Sequence, residues 1–153
     1  MINFIEYTDR YKPDTIELII QILVEEYGFY EFKKSIEKTD FNQYKKKGGK
    51  LWLAINEDNE VVGSIAVHRK SRHTVKLEKV YVKKEYRKNG IAKMLWNLAL
   101  QYAIEKEYEK MTVATYENMK TAVAFYKKNG FIECENVRKR VKDEKHFFLS
   151  LHM

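Results

Sequence analysis

An apolar, β-branched run, Leu77-Glu78-Lys79-Val80-Tyr81-Val82, leads through a basic turn, Arg87-Lys88-Asn89-Gly90-Ile91-Ala92, directly into an amphipathic helix. This strand–turn–helix constrains the chain more than any other stretch. A strand followed by a helix and then another strand places those two strands parallel, joined by the helix as a crossover. The turn also carries chemistry. The first N–H groups of a helix lack intrahelical partners, and the positive end of the macrodipole lies behind them, so a phosphate or pyrophosphate fits there. Arg87 and Lys88 add charge where such an anion would sit, and Gly90 lets the backbone approach it closely.

The chain of 153 residues suits one domain, 1–153, long enough to bury a core. A hydrophobic share of 44% excludes a disordered tail. The net charge of +7 favours anionic partners, but the charge is scattered. Only Lys45-Lys46-Lys47 and Arg138-Lys139-Arg140 form runs, of the kind found on solvated loops and strand edges, so nucleic acid is not the expected partner. A single cysteine, Cys134, cannot form an internal disulfide, and no Cys/His cluster has metal-ligand spacing, so no metal is expected. The longest apolar stretch, 16–24, is broken by Gln21 and followed by Glu25-Glu26, too short and too polar for a membrane span. With no secretory leader at its start, the chain reads as cytoplasmic.

Hydrophobic periodicity orders the rest. Residues 2–7 suit a strand; Pro13 and Asp14 open a helix whose apolar face is Ile16, Ile19, Ile20, Leu23 and Tyr27, with Gly28 at its end. A shorter helix follows over 31–38. Strands are expected over 51–55, 61–68 and 74–82, with polar turns between them. Ile91, Met94, Leu95, Leu98, Ala99 and Tyr102 give the next helix its apolar face. A strand over 111–115, a helix over 118–128 ended by Asn129-Gly130, and strands over 131–137 and 145–151 complete the order β-α-α-β-β-β-α-β-α-β-β. The expected class is a mixed α/β sheet with a parallel pair in its middle.

Taken together, Leu77-Glu78-Lys79-Val80-Tyr81-Val82, the turn with Arg87, Gly90 and Ala92, and the later Asn118…Ala122…Phe125-Tyr126…Asn129-Gly130-Phe131 resemble the GNAT superfamily of acyl-CoA-dependent N-acetyltransferases. The chain departs from the family pattern at Lys88, often glycine, and at Ala92, more often glycine. The absence of GxxxxGK and GxGxxG patterns argues against a P-loop or a dinucleotide fold.

The resemblance implies acetyl-CoA as co-substrate, with its pyrophosphate on Arg87, Lys88, Asn89, Gly90, Ile91 and Ala92. It implies that the pantetheine arm lies along Val80, Tyr81 and Val82, in a gap where this strand splays from the strand over 111–115. Direct transfer in a ternary complex then needs three things: a deprotonated amine, a donor for the oxyanion, and an acid for the departing thiolate. A main-chain N–H near Val80 is the implied oxyanion donor, and Tyr126 matches the family's general acid. The plain alternative for Tyr126 is a core position, which the Asn118 and Gly130-Phe131 context weighs against, and Asn118 suits both a helix N-cap and a contact to the cofactor arm. Glu78 is the candidate base, directly or through water; by strand alternation it shares a face with Val80 and Val82. Its plain alternative is a surface glutamate paired with a cross-strand lysine. Cys134 has no activating base in sequence, and His68 and His73 suit a solvent-facing or substrate-rim position beside a hairpin turn. In the family the first helices cap the acceptor pocket, and here they offer Tyr27, Tyr30 and Glu31, beside Glu25, Glu26 and Phe29, to a small-molecule or peptide amine. A homodimer is common in the family. The alternative reading is a non-catalytic acyl-CoA sensor or scaffold module.

Overall fold

Helices cover both faces of the sheet, which is why its central strands are apolar at consecutive positions rather than alternate ones. The computed structural model describes residues 1–134 and 146–153. Among these, the strands are β1 (Asn3–Glu6), β2 (Lys50–Ile55), β3 (Val61–Arg69), β4 (Thr74–Val82), β5 (Lys110–Tyr116), β6 (Ile132–Glu133) and β7 (His146–His152). They form one seven-stranded sheet ordered β1-β2-β3-β4-β5-β7-β6. All neighbours run antiparallel except β4 and β5, the parallel pair expected from the crossover.

In β2, Trp52 and Ala54 belong to the core under α4 (Ile91–Glu105), which extends to α5 (Lys120–Lys128), while Leu51, Leu53 and Ile55 belong to the core shared with α1 (Lys12–Ile19), α2 (Lys33–Glu37) and α3 (Gln43–Lys46). Gly63 lets α4 sit close to the sheet: a Cβ there would lie 3.2 Å from both Ile91 and Leu95 side chains. Trp96 of α4, 2% exposed, packs against Phe131 with ring centroids 5.5 Å apart. Burying an apolar side chain of this kind contributes about 1.5–3 kcal/mol. No helix among the described residues is long and apolar enough to cross a membrane.

The first helix spans the length its apolar spacing suggests but is less regular. After Ile19 it continues as a π-helix, Ile20–Glu26, and ends at Gly28 with φ +78, a left-handed position suited to glycine. The helix expected over 31–38 resolves into a 3₁₀ turn, Tyr30–Phe32, and then α2. The short α3 was hidden by Lys45-Lys46-Lys47; those lysines are exposed, while Tyr44 beside them is 1% exposed. Positions 135–137, the run Arg138-Lys139-Arg140 and Lys145 lie outside the described residues.

One local irregularity matters for the site. On β3, Ser64 pairs with Tyr81 and Ala66 with Glu78, so the single Ile65 stands opposite both Lys79 and Val80. This is a β-bulge in β4, with Lys79 at φ +56. It shifts the alternation by one. Glu78 therefore shares a face with Tyr81, on the α1–α3 side, and not with Val80 and Val82, which pack on the α4 side.

Candidate active site

The turn between β4 and α4 leaves a run of backbone donors unused. From residue 88 to 93 no backbone N–H has a partner among the described residues; the first to bond is that of Met94, to the Gly90 carbonyl at 3.0 Å. Gly90 takes φ +79 as the cap of α4, and Lys88 takes φ +64. Lys88, Asn89 and Gly90 are exposed, and Ile91 is buried beneath them. The result is a cradle of N–H groups on the positive end of a 15-residue helix.

Arg87 is not a free cation at this cradle. Its guanidinium donates to both carboxylate oxygens of Glu26 at 2.7 Å, and its Nε donates to the Val82 carbonyl at 2.9 Å. The hydrogen bond to Arg87 holds the Glu26 carboxyl below its usual range, and the same bond raises Arg87. Arg87 thus braces the turn against the π-helical segment, and the main-chain N–H groups of 88–93 are left without partners among the described residues.

Past the turn, the sheet opens. β4 and β5 pair from Thr74↔Lys110 to Leu77↔Val113 and then part. The gap holds a cavity of about 360 Å³. Its wall comprises residues 76–81 of β4, residues 113–116 of β5, Met119, Ala122 and Tyr126 beside or on α5, Phe148 of β7, and Leu23, Phe32, Ser35, Ile36 and Thr39 from the helical cap. The backbone of β4 beyond Leu77 has no strand on its β5 side, so Val80, Tyr81 and Val82 present an edge to the gap. The Lys79 carbonyl is held by the Ser64 hydroxyl at 2.6 Å, which pins the bulge.

Tyr126 faces this gap from α5 and is 4% exposed. Its hydroxyl has no hydrogen-bond partner among the described residues. Burial, then the nearby Tyr81, push the phenol well above its ordinary range. The residues after it hold it in place: Asn129 Nδ2 donates to the Phe125 carbonyl at 2.8 Å, Lys93 Nζ donates to Asn129 Oδ1 at 2.7 Å, and Phe131 packs on the Tyr126 ring at 5.6 Å. Asn118 is exposed in the turn before α5 and is not its N-cap; Met119 occupies that position without a side-chain cap bond.

Glu78 lines the cavity within a network that its sequence context did not announce. Oε2 accepts from the Tyr44 hydroxyl at 2.9 Å, Oε1 lies 2.9 Å from His68 Nε2, and Lys76 stands 3.6 Å away. Burial alone would raise the carboxyl, but His68, Lys79, Lys76 and Tyr44 together bring it down to about 2. The cross-strand lysine expected as its plain alternative partner is on its own strand instead, and the cross-strand partner is His68. That pairing was accessible from the hairpin register, which sets His68 opposite Lys76, two residues from Glu78. Tyr44 was not, because α3 was not expected.

The anticipated acceptor residues fall elsewhere. Tyr30 is 69% exposed, Glu31 is exposed, and neither they nor Tyr27 belong to the cavity wall. The 3₁₀ turn that replaces the start of the expected helix directs Phe32 to the cavity instead. His73 is exposed and 3.9 Å from Glu109, and Cys134 is exposed and free.

Comparison with known proteins agrees with this geometry. A family model described as Acetyltransferase (GNAT) family matches residues 16–131. The crystal structure of a GNAT-family acetyltransferase from Staphylococcus aureus is 28% identical, with TM-score 0.87 over 99% of each chain. A GNAT-family acetyltransferase from Elizabethkingia anophelis, solved with acetyl-CoA bound, has the same fold at TM-score 0.71 and 19% identity, covering 99% of this chain and 98% of that one. The Xenopus tropicalis protein "Probable N-acetyltransferase 14" is 25% identical over 83 residues, 54% of this chain; the match spans 40% of that protein's length.

Proposed function

The chain belongs to the GNAT acetyltransferase family, which uses acetyl-CoA as co-substrate, and on that premise we propose that it moves the acetyl group to a primary amine by direct transfer within the β4–β5 gap. The observation that carries this reading is the end of β4–β5 pairing at Leu77↔Val113, which opens one cavity to both Glu78 and Tyr126. The cradle at residues 88–93 takes the pyrophosphate, and the free edge of Val80, Tyr81 and Val82 takes the pantetheine arm. Asn118, exposed in the turn before α5, would contact that arm.

The amine attacks the thioester carbonyl as its free base. The C–N bond forms, the oxyanion is held by the Val80 N–H, the now cationic nitrogen passes a proton to water in the gap, and the C–S bond then breaks. Tyr126 gives its proton to the sulfur as that bond breaks and recovers one from solvent after product release. Burial keeps the phenol loaded, and it makes a lone phenolate costly, so the transfer is coupled to C–S cleavage. A carboxyl held near 2 is too weak a base to strip an ammonium of pKa ~10.4 directly. Glu78 therefore attracts the ammonium and orients the water that carries its proton away, the water-borne half of its expected role.

The test is thiol release from acetyl-CoA against polyamines, aminoglycosides, amino acids and lysine peptides, with the acetylated product confirmed by mass. Amine-dependent release supports the reading. Acetyl-CoA binding with no release across the panel contradicts it and favours a sensor.

A further inference from the structure

Three charged side chains stand on the cavity wall: Lys76, Glu78 and Lys79. Two of them satisfy each other, since Glu78 is engaged by Tyr44, His68 and Lys76. Lys79 is different. Among the described residues its ammonium makes no hydrogen bond and no ion pair, although it adjoins Glu78 in sequence. The bulge explains the separation. Glu78 points to the α1–α3 side, while Lys79 stands with Val80 opposite Ile65, whose side chain packs under α4. Both reach one cavity only because the sheet is parted there.

Lys79 is half-buried, and burial pulls its pKa down while Glu78 pulls it up. A cation withdrawn from water without a counter-charge is costly, and a ligand carboxylate would relieve that cost with a charge-assisted hydrogen bond. The wall thus offers an anion and a cation, unbridged, from the two faces of the parted strand. The cap beside them is apolar, with Leu23, Phe32 and Ile36. The glutamates of the first helix that would have drawn a cationic amine are not on this wall: Glu26 is held by Arg87, and Glu25 is exposed.

We propose that the acceptor is a compact zwitterion, an apolar amino acid or close analogue, whose carboxylate seats on Lys79 and whose amino group lies toward Glu78. This substrate class rests on the acetyl-transfer reading above. It makes Lys79 a specificity-determining residue and disfavours polyamines.

The experiment uses acceptors matched in pairs: leucine with 3-methylbutylamine, and phenylalanine with phenethylamine. The wild-type protein is expected to prefer the carboxylate member by at least about tenfold in kcat/KM, the scale of one charge-assisted hydrogen bond. Lys79→Met should collapse the ratio toward one, and Lys79→Arg should keep it, with thermal unfolding of each variant as the folding control. Equal use of both members by the wild type, or an unchanged ratio in Lys79→Met, would overturn the proposal. Intact-mass detection of acetyl on Lys79 itself would overturn it too, by making Lys79 an acceptor. Should no acceptor turn over, calorimetry with the CoA-loaded protein still decides. Tighter binding of N-acetylleucine than of N-(3-methylbutyl)acetamide, lost in Lys79→Met, would uphold the carboxylate site while removing acetyl transfer. Equal binding would remove the site.

Discussion

Lys88 occupies a left-handed backbone position, φ +64, that a side chain adopts at a cost of about 1–2 kcal/mol. Lys88→Gly removes that strain and returns roughly 0.5–1 kcal/mol to the unfolded chain as entropy. We expect a small net stabilisation, read as a higher denaturant midpoint at unchanged slope; a clear loss would mean that the lysine stem packs favourably. Glu78 gives the pH prediction. Its folded-state pKa of about 2 lies below its ordinary 4.5, so the ionised carboxylate stabilises the fold above pH 4.5, and that contribution is lost as pH falls toward 2. Glu78→Gln should accordingly lose less stability than wild type over that window in acid titration followed by circular dichroism; parallel curves would refute the assignment. The unusual residue at 88 was visible in the sequence, because the loop pattern sets glycine there. Lys79 was not, because nothing local to the strand signals which residue will bulge.

Between elements, the contact that joins the β4–α4 turn to the π-helical segment is Arg87 with Glu26, both about a quarter exposed. Charge-assisted hydrogen bonds of this kind contribute about 1.5–3 kcal/mol. Glu26→Gln should destabilise the protein by about 1–2 kcal/mol and speed amide exchange across Ile20–Glu26 and the 88–93 turn together. Faster exchange in only one of them would show that they are not coupled. Periodicity made most elements legible: Thr74–Val82 and the start of α4 fall where their apolar spacing places them. The bulge depends on register against β3, and α3 depends on Tyr44 finding Glu78 across 34 residues. Such partner-dependent features do not show in local pattern, and the network around Glu78 was hidden with them. The helix that carries Tyr126 was legible, because the Asn129-Gly130-Phe131 run that follows it also packs against its end.

At the scale of the whole fold, β4 and β5 part beyond Leu77↔Val113 in the middle of the sheet, with helices packed on both faces. In the proposed reading acetyl-CoA bridges the two sides of that gap, and a ligand that binds only the folded state stabilises it. At about 100 times its Kd it should stabilise the protein by ~2.7 kcal/mol, a rise in Tm of roughly 5–10 °C for a chain of this size. The central claim is that this gap is where acetyl transfer occurs, with Tyr126 as the acid. It is tested most directly by measuring turnover and acetyl-CoA affinity side by side in Tyr126→Phe. The account predicts Kd within about twofold of wild type and kcat lower by at least about tenfold, toward the 10²–10⁴-fold typical of a lost general acid. Turnover equal to wild type would contradict it.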